Sequence, residues 1–141
     1  MRHSPSAEDR QFRSQFEDCS LPPADFDHRG HLRLAYVYLA DRDVDAAHEA
    51  MRQALWRFLE HNGVDPAKYH ETMTRAWIMA ARHFMELCPE TDSAESFIAS
   101  DPRMLDPKIM MTHYSAELLF SAEARKRFVE PDLSPIPEHD G

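Results

Sequence analysis

Glycine is scarce in this chain, 3 of 141 residues. Phosphate loops and dinucleotide fingerprints set several glycines close together so that backbone can approach a ligand. No such loop occurs, and no nucleophile elbow either. Cysteine is scarcer still. Cys19 and Cys88 stand far apart with no CxxC, which suits a reduced, cytoplasmic setting. Long apolar runs are missing. The longest, residues 34–40 and 76–81, fall far short of the roughly 20 residues a spanning helix needs. Residues 1–10 are polar and lack the apolar centre of a signal peptide. These absences predict a cytoplasmic protein with no membrane contact.

Basic clusters are also missing. The formal charge is -9, which repels a phosphate backbone unless a basic patch is hidden. The densest basic run, Arg125-Lys126-Arg127, has Glu117, Glu123 and Glu130 close by and reads as a solvated helix face. No nucleic-acid partner is expected. A monomer or small homo-oligomer is expected.

Alanine, leucine, methionine, arginine and glutamate are plentiful, while β-branched residues are few. That balance favours helix over sheet. The length suits one core. The expectation is an all-α, single-domain helical bundle of about four main helices plus short C-terminal ones. The domain spans residues 1–141, with residues 1–10 and 131–141 as extended or disordered tails.

Phe12 and Phe16, four apart, suggest a short helix within 11–19. Asp25 or Asp27 can cap a helix running to about residue 40. On it His28, His31, Leu32, Ala35 and Leu39 share one stripe. Asp43 or Asp45 can cap the next helix, which runs to about His61 and stops at Asn62-Gly63. Asp65-Pro66 then predicts a helix over 66–87, with proline at its first position. Asp92 with Glu95 looks like a capping box for 94–99. Ser115 and Ser121 can each cap a short helix.

The chemistry-bearing residues fall in two short stretches, Phe26-Asp27-His28-Arg29-Gly30-His31-Leu32 and Tyr69-His70-Glu71-Thr72. A metal needs several imidazoles or carboxylates converging on one point. His28 and His31, one turn apart, supply two, and His70 on a neighbouring helix supplies a third. Neutral imidazole suits zinc, iron, copper and nickel alike, so the expected cofactor is a divalent transition metal. Glu71 diverges from His70 by about 100° on a helix. It is expected to orient a ligand or to act as catalytic base on bound water. Its plain alternative is a salt bridge to Arg75. His113 is a candidate fourth ligand, and Tyr69 and Tyr114 are candidates for the site's entrance. His3, His48, His61, His83 and His139 read as surface or terminal residues.

These two stretches, with Tyr114-Ser115, Phe120-Ser121-Ala122-Glu123-Ala124-Arg125 and Phe128-Val129-Glu130-Pro131-Asp132-Leu133, resemble a family of short bacterial helical proteins. The likeness runs over roughly residues 26–137. It implies one compact helical domain marked by these histidines, and it names no substrate or reaction. The reading is a small metal-binding helical protein, an enzyme acting oxidatively or hydrolytically on a small-molecule substrate. Two alternatives stand beside it: a non-catalytic helical interaction module, and a metal-free His/Glu acid–base enzyme.

Overall fold

The computed structural model describes residues 2–138, and it is all-α. Its four longest helices are α1 (Ala7–Glu17), α2 (His28–Leu39), α3 (Val44–His61) and α4 (Glu71–Leu87). Three short helices follow: α5 (Ala94–Ser100), α6 (Ala116–Leu119) and α7 (Ala122–Lys126). Among the described residues, no helix is long and apolar enough to cross a membrane.

α2 is the central element, packed against α1, α3, α4 and α5. Every residue from Leu34 to Leu39 is buried. Residues 34–39 of the apolar run are therefore a helix covered all round, not the one-sided stripe expected from spacing. Asp27 is its cap: its carboxylate accepts from the Gly30 amide at 2.9 Å. Asp43 caps α3 through the Ala46 amide at 2.8 Å. Gly63 ends that helix with φ +67°, a left-handed conformation that only glycine adopts without cost.

Four points differ from the sequence reading. The tail is structured from Arg2 on. Arg2–His3 (β1) pairs in parallel with Glu90–Thr91 (β2), and α1 starts at Ala7 behind a Ser6–Asp9 capping box. Buried Asp9 also accepts from Arg33 and from the Ala94 amide, so the start of the chain is tied to α2 and α5. The stretch 131–138 is extended but docked. Asp132 holds Ser115, and Ile136 is buried with Met110, Tyr114 and Leu119 against the outer face of α4. Residues 139–141 lie outside the described residues, as does the expectation for His139. Ser93, not Asp92, caps α5.

The fourth difference matters most. Residues 66–87 are not one helix. Pro66–Lys68 forms a separate 3-10 turn capped by Asp65, the chain then extends at Tyr69 and His70, and α4 begins at Glu71. His70 is the cap of α4 and not a residue inside it.

Candidate functional site

α2, α3 and α4 enclose a cavity of about 510 Å³, within the range of small-molecule sites, roughly 300–1,000 Å³. Its walls are mainly apolar: Leu32 and Ala35 from α2, Met51, Leu55 and Phe58 from α3, Met73, Trp77 and Ile78 from α4, with Phe26 from the loop before α2. Its polar groups are few. His28, His31 and His70 all line it, as do Thr74 and, at the exposed rim, Lys68. The two histidine stretches of the sequence thus meet at one cavity.

Their hydrogen bonds separate the three imidazoles. His70 has both ring nitrogens engaged. Nδ1 accepts from the Met73 amide at 3.0 Å, filling the cap role usually held by a Ser or Asp oxygen, and Nε2 donates to the Leu119 carbonyl at 2.7 Å. Burial keeps its pKa below the usual histidine value, with the charge of Arg125 acting in the same direction and the Leu119 bond against it. His28 donates from Nε2 to the Met104 carbonyl at 2.9 Å, and its ring stands edge-on to Trp77. That bond leaves Nδ1 of the neutral ring with a free lone pair.

His31 is different. Its ring lies against Phe26, centroids 4.3 Å apart. Among the described residues, neither ring nitrogen has a hydrogen-bond partner. Burial, aided by the neighbouring His28, holds its pKa down at about 4. At neutral pH the ring is uncharged, with a donor and an acceptor to offer.

Glu71 does not line the cavity. Its carboxylate accepts from the Tyr69 hydroxyl at 2.5 Å, from His48 at 3.0 Å and from Arg52 at 2.7 Å. Burial opposes its charge, but these hydrogen bonds and the Arg52 charge outweigh that and lower its pKa. Arg75 is not its partner. That guanidinium donates to Asp45 and to His48 Nδ1. A guanidinium only donates, so His48 Nδ1 accepts and the ring hydrogen sits on Nε2, aimed at Glu71. The role expected for Glu71, base on water in the site, does not match this placement. It anchors Tyr69, whose ring forms part of the cavity wall.

Other candidates fall elsewhere. His113 bonds the Ser134 carbonyl at 2.6 Å and does not line the cavity. Tyr114 is fully buried in the second core cluster, its hydroxyl on the Val129 carbonyl. The sequence pattern places His48 and His3 at the surface, and the structure does not. His48 is buried, and half-buried His3 bonds Thr91 and the Met85 carbonyl. His48 was within reach of the pattern, because it lies three and seven residues before Met51 and Leu55 on the apolar face of α3. Nothing local marked Lys68 or Trp77 as cavity residues.

Among the described residues, no group of three or more His, Cys, Asp or Glu side chains is arranged to hold a metal ion. Comparison with models of protein families, with curated proteins and with solved structures finds no match.

Proposed function

We propose that this protein binds a small, mainly apolar molecule in the cavity between α2, α3 and α4, with His31 as the group that orients it. The observation that carries this reading is the His31 ring, uncharged and, among the described residues, without a hydrogen-bond partner in a mainly apolar wall. The ring is half-buried and lines the cavity, so water can meet its nitrogens when no ligand is bound. A ligand hydroxyl that takes the place of that water gives His31 a directed partner, while the aliphatic and aromatic walls bind the remainder of the molecule by excluding water. A base whose conjugate acid has a pKa of about 4 is poorly matched to proton abstraction at neutral pH. The reading is therefore recognition by a neutral imidazole.

The test uses para-propylphenol and propylbenzene, followed by the fluorescence of Trp77, which lines the cavity. The phenol should bind saturably and about fivefold more tightly than the hydrocarbon. His31→Leu should remove that preference. Thr74→Phe, which places a ring in the cavity from half-buried Thr74, should weaken both. Equal binding of the two compounds to the wild type, or a preference that survives in His31→Leu, refutes the role of His31.

One observation favours a second reading with a metal. An imidazole that donates its far N–H to a backbone carbonyl, as His28 does to Met104, is oriented as metal-bound histidines usually are. His28 Nδ1 and a His31 nitrogen then remain for zinc, iron, copper or nickel. His70 would have to give up two hydrogen bonds to join them. Metal analysis of protein purified without a histidine tag tests this. Bound metal that falls in His28→Ala and His31→Ala but persists in His70→Ala supports the two-histidine form, and metal-free protein after incubation with zinc refutes it.

A further inference from the structure

We infer that the ligand of the cavity is a monoanion, its apolar body among the walls and its negative group at the rim beside Lys68; the inference rests on the small-molecule reading above. The chain carries 25 acidic against 16 basic residues. The cavity reverses that balance: its lining holds no Asp or Glu, and Lys68 is its one Lys or Arg. Among the described residues the Lys68 ammonium has no acidic partner and no hydrogen bond. Its backbone, by contrast, is held in place. Asp65 caps the 3-10 turn that ends at Lys68, and Arg125 donates to the carbonyls of Ala67 and Lys68 at 3.3 and 3.5 Å.

Arg125 adds a second positive charge on the same side. Its side chain rests on those two carbonyls and not on a carboxylate. Its field reaches the cavity wall, where it helps to keep the His70 ring uncharged. The half-buried carboxylate of Glu71, three residues on, already holds Arg52, His48 and Tyr69. A cationic rim over an apolar, acid-free cavity matches a compact amphiphile with one carboxylate, such as an aryl-alkyl acid. A cationic ligand would meet Lys68 and Arg125 with no acid in the lining to receive it; Asp27, whose charge is felt at His31, already accepts from the Gly30 amide.

The experiment compares three probes with one body and three ends: para-hydroxyphenylpropanoate, the matching propanol and the matching propylamine. Each is titrated calorimetrically into the full chain at low ionic strength and at about 0.5 M salt, roughly three times physiological ionic strength. The acid should bind roughly three- to fivefold more tightly than the alcohol at low salt, as one exposed ion pair provides, and the amine most weakly. High salt should narrow the gap. Lys68→Met should bring the acid to the affinity of the alcohol, and Lys68→Arg should retain its advantage. Lys68 is exposed, so these variants leave the core untouched. An alcohol that binds as tightly as the acid overturns the charge assignment alone, as does a gap that persists in Lys68→Met. If none of the three binds, and propylphenol does not either, the cavity reading falls with it.

Discussion

Replacing His31 by Leu should make the protein less sensitive to acid. The folded chain holds His31 at a pKa of about 4, against 6.5 for an unperturbed histidine. Above pH 6.5 the ring is neutral in both states, and its full contribution to stability is present. Between 6.5 and 4 the unfolded chain takes up a proton that the native ring refuses, so stability falls as pH falls. Below 4 both states are protonated and the loss is complete. At pH 4.5 the unfolded ring is almost fully charged and the native one only about a quarter so. Integrating the difference at about 1.36 kcal/mol per pKa unit gives a loss of about 2.5 kcal/mol from pH 7.5 to 4.5. His3 and His70 are also lowered by burial and titrate in the same sense, so the comparison must be with the variant. Urea unfolding of wild type and His31→Leu at the two pH values measures it. The wild type should lose about 2.5 kcal/mol more than the variant. In thermal melts this corresponds to a midpoint roughly 5–10 °C lower. Parallel losses in the two proteins would refute the argument, because they would mean that the native ring accepts a proton as readily as the unfolded one. Ligand should deepen the wild-type response, since a hydroxyl bound to the neutral ring disfavours protonation further.

Three further predictions concern the scaffold. Glu71→Ala strips a carboxylate from buried Tyr69 and His48, each charge-assisted bond contributing about 1.5–3 kcal/mol. Arg52 keeps Glu49, so the total should be about 3–5 kcal/mol by urea unfolding, with Tyr69→Phe adding little in that background. Because the Glu71 pKa is lowered, its contribution is present above the ordinary carboxyl range and lost as pH drops through its folded value; Glu71→Gln should flatten that acid limb. His70→Ala should cost about 1–2 kcal/mol through the lost cap, and His70→Asn should restore most of it, which a purely ligand-binding His70 would not allow. Gly63→Ala should cost about 1 kcal/mol. A Cβ there meets nothing within 4 Å, so the whole effect is the left-handed backbone, and a neutral or stabilising result in a melt would contradict it.

Much of the local structure was legible because it depends on neighbours in the chain. Asp27, Asp43, Ser115 and Ser121 cap helices by reaching amides three residues ahead, and a short polar side chain before an apolar run says as much. Asn62-Gly63 ends α3 for the same local reason. The error at residues 66–87 came from the same kind of rule. Asp65-Pro66 does open a turn, but a proline start does not say how far the helix runs. The imidazole of His70 then competes for the Met73 amide and restarts the helix at Glu71.

What the amino-acid order determined alone was the all-α class, the places where most helices begin and end, and the pairing of His28 with His31 on one face of α2. Those follow from periodicity and from bonds spanning a few residues. What only the tertiary structure decided was the state of each histidine. The bond of His28 goes to Met104 and that of His70 to Leu119, 76 and 49 residues away. Glu71 likewise finds His48 and Arg52 on α3, not Arg75 one turn on. A titratable side chain takes its character from desolvation and from whichever partners the packing of α2, α3 and α4 brings within about 3 Å. His31 differs from His28 and His70 because that packing sets its ring against Phe26 in a mainly apolar cavity, with no hydrogen-bond partner among the described residues.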